Sequence, residues 1–360
     1  MKRIDCNNTY SHLIPSYGLI KLRVSTPSFT ELRRRYAELH PSNFHIGLDD
    51  TLNDSTRFIH HRQQVGLRVL SENYIPVTRQ YAKFGVPASL RPAMYRCALG
   101  LAPEVSDKEV EHYRSLLRRV ESLKFPVEDE LNRMDLGYIS NDFTFFPFGE
   151  VLLGVVLAFS RDPWVLHNAS VVTHDPLLHD LPDGSRVLVP SSGVHPFKGF
   201  CKYAAPLALI YQDAEAVYFT FRAMYASYWC RLNVLHSGEG TLLHLCKSFE
   251  DLLSRQCPLL FLHLNALGCP PLTIAFPWLH LTFVGYLEVE QVLLLWDRVL
   301  AYDDLALLPA LACAIFVLRG ELLLGASNAE QVKAAFVDLG ARLKVVTLLQ
   351  TFLFPEVLKR

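Results

Sequence analysis

The chain has 360 residues, of which 50% are hydrophobic and 20% are charged, so its composition excludes an intrinsically disordered protein. Its 35 Lys and Arg residues balance 36 Asp and Glu residues and leave a formal net charge of -1. This balance argues against a protein that binds nucleic acid mainly by neutralising phosphates, although a local basic patch stays open.

Residues 1–82 form an N-terminal region of mixed composition, and the sequence does not specify its fold. Within it, Thr30 to Tyr36 contains three consecutive arginines and predicts a short helix with a solvated basic face. A lipid-binding or nucleic-acid-binding patch is the alternative. No apolar core of signal-peptide length follows Met1, so we expect a cytoplasmic protein.

Two helix starts stand out further along the chain. Ser106 and Glu109 have the spacing of a capping box, and apolar residues recur at helical spacing from Val110 to Leu123. A second start is predicted at Ser327 to Glu330, followed by apolar residues at helical spacing as far as Leu343. Both patterns indicate amphipathic helices.

Five prolines lie between residues 162 and 196 and change the character of the chain. Proline fixes φ and lacks an amide donor, so a continuous helix is excluded there and a proline-rich surface insertion is predicted. Residues 187–189 suggest a short strand within it. Beyond residue 200, Leu305 to Leu318 is the most hydrophobic stretch, but it is shorter than the ~20 residues that span a bilayer. We therefore predict a buried helix and no membrane span.

The signatures of a self-contained active site are absent from the sequence. We find no phosphate loop, dinucleotide-binding glycine motif, nucleophile elbow or His-Glu-x-x-His helix, and we expect no cofactor. His174, Asp175, His179 and Asp180 cluster in the insertion, and with His195 they leave open a metal-dependent hydrolase. The eight cysteines form no Cys-x-x-Cys pair, which predicts free thiols in a reducing compartment.

Residues 85–95 read Gly-Val-Pro-Ala-Ser-Leu-Arg-Pro-Ala-Met-Tyr and resemble the opening motif of TBC domains. Further matches follow in the family's order and spacing: Phe249-Glu250, Pro258-Leu259-Leu260, His263-Leu264, Trp278, Phe283 and Leu294-Leu295-Trp296-Asp297. The amino-acid sequence of residues 157–162 and 221–225 is most similar to that of the member-19 branch of the family. The resemblance implies an all-α, multi-helix domain over residues 83–354 that engages a GTP-bound Rab-family GTPase in vesicle trafficking.

TBC domains supply two catalytic fingers, an arginine in Ile-x-x-Asp-x-x-Arg and a glutamine in Tyr-x-Gln-Gly. The resemblance places the first motif at Val127-x-x-Glu130-x-x-Arg133, which makes Arg133 the candidate arginine finger. Glu130 is predicted to hold its guanidinium from one helical turn away. The second motif corresponds to residues 196–199, where Lys198 takes the place of glutamine. Gln212 lies past the helix that follows, so we interpret it as unrelated to the finger.

A lysine offers donors and positive charge but no carbonyl acceptor, so Lys198 cannot hold a water molecule as a carboxamide does. The function predicted from the resemblance is therefore a Rab GTPase-activating protein or regulator with a degenerate pair of fingers. A TBC-like scaffold that binds a GTPase or adaptor without speeding hydrolysis is the main alternative. Neither nucleic acid nor a membrane is an expected direct partner, and the GTPase would provide any membrane contact.

Overall fold

The fold was analysed in a computed structural model that describes residues 24–48, 55–139, 144–171, 177–180, 184, 186–234, 236, 238–337, 339–340 and 343–356. Helices dominate throughout these residues. Their start signals are local, as the predicted capping box illustrates. The Ser106 side chain accepts from the Glu109 amide, and the Glu109 carboxylate accepts from the Ser106 amide at 2.8 Å. This helix start is confirmed.

The described residues contain seventeen α-helices, numbered here in chain order. The first nine are α1 Phe29–Arg35, α2 Ser55–Glu72, α3 Ile75–Ala82, α4 Arg91–Ala98, α5 Asp107–Ser122, α6 Pro126–Ile139, α7 Gly149–Ser160, α8 Pro163–Asn168 and α9 Ala214–Ser227. The others are α10 Leu242–Gln256, α11 Pro258–Ala266, α12 Pro271–His280, α13 Val289–Tyr302, α14 Leu307–Leu318, α15 Gly320–Leu324, α16 Ala329–Ala334 and α17 Val345–Leu353. Five short 3₁₀ segments connect them: Ala37–Leu39, Phe146–Phe148, Phe200–Tyr203, Ala205–Leu209 and Trp229–Asn233.

The main core is built around two helices from the C-terminal half. In α14 every side chain from Leu307 to Phe316 is buried, and the helix packs against α10, α12 and α17. This confirms the buried helix predicted over Leu305 to Leu318; Pro309 lies in its first turn, where an amide donor is not required. The neighbouring α13 is buried from Gln291 to Ala301 and packs against α3, α4 and α17.

The second predicted helix start, within Ser327 to Glu330, is confirmed, but the predicted length of the helix is wrong. Asn328 caps α16 by accepting from the Gln331 amide at 2.9 Å, and the helix ends at Ala334. Past that point Phe336 packs against Trp278 with ring centroids 5.3 Å apart. Leu339 and Leu343 are buried as their spacing suggested, but they reach the core from outside the helix. Tertiary packing thus overrides the local periodicity.

The proline-rich insertion contains the only two strands among the residues described. β1 Leu177–Asp180 pairs antiparallel with β2 Arg186–Val189, so the short strand predicted at residues 187–189 is confirmed. The hairpin lies at the surface, whereas both flanks of the insertion are buried. At the first flank, Asp162 accepts from the Tyr218 hydroxyl at 2.5 Å and from Arg222 at 2.9 Å.

The N-terminal helix packs on the C-terminal one. Leu32, Tyr36 and Leu39 belong to the same buried cluster as the α13 and α14 side chains. Arg33 donates to the Leu353 carbonyl at 2.5 Å, so part of the predicted basic face makes internal contacts. The division of the chain at residue 82 remains a sequence prediction, and it runs between helices that share contacts in the structure.

Of the eight cysteines, the seven in the described ranges are free, and six of these are buried; Cys6 lies outside those ranges. No single helix in the described part of the chain is long and apolar enough to cross a membrane. The bent pair α11 and α12, which meet at 105°, passes the same test of length and composition only when taken together.

His45 is a buried titratable group close to the core. Its Nε2 donates to the Glu38 carbonyl at 2.8 Å, its ring stacks on Phe84, and its Nδ1 has no hydrogen-bond partner among the residues described. Burial, reinforced by the positive charge of Arg298, lowers the pKa of His45 to about 4. A proton on this ring therefore favours the unfolded chain, where the imidazole has its ordinary pKa of about 6.5.

We expect the contribution of His45 to the free energy of unfolding to be constant above about pH 6.5. Between that pH and pH 4 the free energy of unfolding is expected to fall by up to about 3 kcal/mol. The sign follows because the unfolded state binds more protons than the folded state in that window. Urea unfolding at several pH values would measure it in the wild type and His45→Gln, with His61→Gln as an exposed control. Equal pH slopes in the wild type and His45→Gln would contradict the assignment.

Candidate functional site

Asp297 of α13 links two distant parts of the chain that carry the family-like motifs. Its fully buried carboxylate accepts from Arg91 at 2.9 and 3.1 Å, from the Tyr95 hydroxyl at 2.9 Å and from the Val86 amide at 3.3 Å. Burial and the nearby Asp297 raise the pKa of Tyr95 well above its usual range. With its acceptor sites occupied and no solvent access, Asp297 holds the fold together and has no free position for a reactant.

Lys198 stands at the surface on a fixed turn. The residues before it, Ser191 to Val194, are buried, and Gly199 follows it with a φ of +96°. A side chain at Gly199 would be strained at this φ, and its Cβ would lie 2.7 Å from the side chain of Leu281. The backbone is therefore fixed beside an exposed lysine, which can present its ammonium group outward.

Asp135 ties α6 to this turn. Its carboxylate, only 3% exposed, accepts from the backbone amides of Gly199 and Cys201, the latter at 2.8 Å. Burial, and then the adjacent Asp135, raises the pKa of the Cys201 thiol well above its usual range. The interaction joins residues 64 positions apart in the chain and holds the turn that carries Lys198 against α6.

Two further contacts extend this junction along α6. The Nζ of Lys198 lies 4.7 Å from the centroid of the Tyr138 ring, within the range of a cation–π interaction. Near the N-terminal end of α6, the Nδ1 of His195 lies 3.4 Å from a carboxylate oxygen of Glu128. The segment from His195 to Cys201 thus runs along α6 from Glu128 to Tyr138.

A cavity of about 420 Å³ opens beside Lys198. Within it His280 and Asn233 are hydrogen-bonded at 3.1 Å, and the Phe197 ring lies 5.2 Å from the His280 ring. Burial lowers the pKa of His280. The lining comes from the turn and from the segments around α9, α10 and α12: Val194, His195, Pro196, Phe197, Lys198, Tyr225, Leu232, Asn233, Val234, Leu242 and His280.

Arg133 is exposed on α6, and the structure does not bring it to Lys198. The predicted ion pair with Glu130 is wrong: both side chains are exposed, and neither has an ion pair or hydrogen bond within the described part of the chain. Arg133 and Tyr138 are five positions apart, so their side chains leave α6 about 140° apart around the helix axis. Gln212 is also exposed and does not line the cavity.

Comparisons with known proteins bear on this arrangement. Residues 193–324 match the model of the Rab-GTPase-TBC domain family. Residues 193–324 thus belong to a Rab-GTPase-TBC domain. The matched TBC segment includes Lys198, the cavity beside it and Asp297.

The human TBC1 domain family member 19 is 33% identical to this chain over 346 residues, which are 94% of this chain and 65% of that relative. The chain therefore spans about 65% of the length of that protein. Among solved structures, the Chlamydomonas flagellar RabGAP TBC domain aligns with a TM-score of 0.57 at 15% identity, covering 85% of this chain and 96% of that one. The Ypt/Rab-GAP domain of Gyp1p gives the same TM-score of 0.57 at 12% identity, with 93% and 100% covered. These two confirm the all-α fold.

The metal-site alternative finds no support in the described residues of the chain. His179 is exposed on β1, Asp180 pairs with Arg186 at 2.9 Å, and His195 is engaged by Glu128. No group of three metal-ligating side chains occurs in the described part of the chain. His174 and Asp175, the other two predicted ligands, lie outside it.

Sequence reasoning missed Asp135 and Tyr138 in this TBC domain. A usable signal was present in a second alignment, or register, of the finger motif with α6, Asn132-x-x-Asp135-x-x-Tyr138. This register keeps the aspartate of the motif, whereas the register through Arg133 has Glu130 in its place. That signal was hidden because both other motif positions have changed. The contact between Asp135 and the turn at Gly199 distinguishes the two registers in the structure.

Proposed function

We propose that this chain binds a Rab-family small GTPase in its GTP-bound form and regulates it. The binding face consists of α6, residues 194–199 and α12. The single observation that carries the proposal is the exposed Lys198, fixed by Gly199 and Asp135 beside a cavity inside the matched Rab-GTPase-TBC segment. A phosphate-bearing partner is the natural counterpart of such a cation.

An apolar stripe on α6 supports a protein partner at this face. Val127, Leu131, Met134 and Tyr138 lie on one side of the helix at spacings of four, three and four residues, and they are 66%, 39%, 53% and 53% exposed. Phe276 of α12, 43% exposed, contacts His280 at the edge of the cavity. Methionine and aromatic side chains are enriched in protein interfaces relative to the rest of the surface.

A GTPase regulator accelerates hydrolysis by stabilising charge on the transferring phosphoryl group. Among the described residues of this face, we assign Lys198 alone as a group that could stabilise that charge. Arg133 projects from another side of α6, and this observation favours the second candidate function, a scaffold that binds the GTPase without strong catalysis. The two candidates differ in the hydrolysis rate and not in binding.

We expect the chain to bind at least one Rab-family GTPase more tightly with a GTP analogue than with GDP, and Lys198→Ala to weaken that binding by about 3- to 10-fold, as one lost charge-assisted contact would. Titration calorimetry across a Rab panel would measure both effects. Lys108→Ala removes another exposed lysine, from α5, and is expected to leave affinity unchanged. Equal binding of the GDP and GTP-analogue forms, or no binding, would reject the proposal.

Single-turnover GTP hydrolysis with the bound GTPase separates the two candidates. An activator raises the rate at saturating concentration, whereas a scaffold leaves it at the intrinsic value. The prediction that Arg133 is the arginine finger is tested in the same assay by Arg133→Ala, with Arg114→Ala as an exposed control on α5. A loss of rate specific to Arg133→Ala supports the finger.

A further inference from the structure

The finger motif fits α6 in two registers, and burial distinguishes them. The motif's Ile and Asp are three residues apart and share one face of a helix, and an isoleucine belongs in the core. In the register through Arg133, those positions are Val127, which is 66% exposed, and Glu130, also exposed. In the other register they are Asn132 and Asp135, at 0% and 3% exposure, and the aspartate itself is retained.

The contacts of Asp135 give this second register a physical role. Its carboxylate accepts from the amides of Gly199 and Cys201, so it connects α6 to the turn that carries Lys198. The residue three positions later points to the same turn, and there the ring of Tyr138 lies under the Lys198 ammonium at 4.7 Å. No equivalent contact joins Arg133 or Glu130 to this turn in the described structure.

We infer that Tyr138, and not Arg133, occupies the arginine-finger position of this TBC domain, where it acts as a positioning residue for Lys198. The inference rests on the proposed binding of a Rab-family GTPase at this face. The domain then presents one cation, held over an aromatic ring, at the place where two fingers would act.

The chemistry of the pair differs from that of arginine and glutamine. A tyrosine hydroxyl has one donor and carries no positive charge, whereas a guanidinium has five donors and a permanent charge. A lysine has no acceptor with which to orient the attacking water. Because an arginine supplied in trans contributes roughly 10³- to 10⁵-fold to GTP hydrolysis, a domain with tyrosine at that position lacks this contribution.

The test is to restore the missing groups. With a GTPase that binds the wild-type chain, we expect Tyr138→Arg to raise the single-turnover hydrolysis rate by about 10-fold or more, and Tyr138→Arg combined with Lys198→Gln to raise it further. Arg133→Ala is expected to leave the rate within about twofold of wild type, as for other exposed side chains. Tyr74→Arg adds the same charge at another exposed tyrosine and controls for a nonspecific electrostatic effect.

A tenfold or larger loss of rate in Arg133→Ala would overturn the inference, as would an unchanged rate in Tyr138→Arg while binding is retained. The absence of binding to every GTPase in the panel would be recorded in the preceding titration and would reject the proposed function together with this finger assignment. The two failures are thus distinguished by the assay in which they occur.

A second measurement uses the chain alone. Acetylation of Lys198 by an amine-reactive reagent, followed by mass spectrometry, reports how firmly its ammonium group is held. Loss of the ring in Tyr138→Ala is expected to speed labelling about two- to fivefold, whereas Tyr138→Phe keeps the ring and the slower rate. Lys108 provides an internal reference. Labelling of Lys198 that ignores both substitutions would contradict the positioning role of Tyr138.

Discussion

Asp297→Ala is expected to lower the free energy of unfolding by about 3–5 kcal/mol, the largest effect of a single substitution that we predict for stability. The carboxylate is fully buried and accepts from Arg91, Tyr95 and the Val86 amide, while Arg298 lies 3.8 Å away. Removing it leaves two buried guanidinium groups without their anion. Desolvation of an unpaired buried charge is the dominant cost.

Urea unfolding followed by circular dichroism would measure the change. Asp297→Asn keeps one acceptor oxygen and removes the charge, so it is expected to fall between the wild type and the alanine variant. Asp213→Ala serves as the matched control, because Asp213 is exposed and its side chain makes no capping hydrogen bond to α9. Should Asp297→Ala cost no more than Asp213→Ala, the contact between the opening motif and α13 would not be a major source of stability.

Asp135→Ala is expected to have the second-largest effect, a loss of about 2–4 kcal/mol, because two buried backbone amides lose their acceptor. The amides belong to Gly199 and Cys201, so the turn that carries Lys198 loosens at the same time. We therefore expect faster hydrogen exchange at these two amides and weaker binding of the GTPase, in addition to the lower stability.

Glu130→Ala provides a control on the same helix, since Glu130 is exposed and has no ion pair or hydrogen bond among the residues described. Its stability is expected to stay within about 0.5 kcal/mol of wild type. Mass spectrometry of exchanged peptides covering residues 194–203, with urea unfolding alongside, would compare the two variants. Similar exchange in both would show that Asp135 does not fix the turn.

Local features of the fold were predictable where neighbouring residues decide them. The start of α5 depends on Ser106 and Glu109, three residues apart, so the sequence alone identifies the capping box. The continuous hydrophobicity of Leu305 to Leu318 likewise predicted the buried α14, whose side chains are apolar on every face. Helical spacing overextended α16, because Phe336 leaves the helix to pack against Trp278.

The candidate site was predictable only in part. The resemblance identified the turn at Lys198 and Gly199, since the glycine of the motif is retained. In the structure this glycine has a φ of +96°, which disfavours other residues. The resemblance placed the finger motif of α6 at Val127-x-x-Glu130-x-x-Arg133, because that register retains the arginine. Either Glu130 or Asp135 satisfies the spacing, and no residue next to them in the chain separates the two.

The sequence by itself therefore determined the helical class, the family resemblance and the position of Lys198, because caps, apolar spacing and ordered motifs are properties of residues close together in the chain. The tertiary structure decided which acidic side chain of α6 reaches the turn and which residue stands beside Lys198. Asp135 and Gly199 are 64 residues apart, and they meet only because α6 packs along residues 195–201. Burial of that contact, with Arg133 left at the surface and Tyr138 under the lysine, follows from packing that no local pattern encodes.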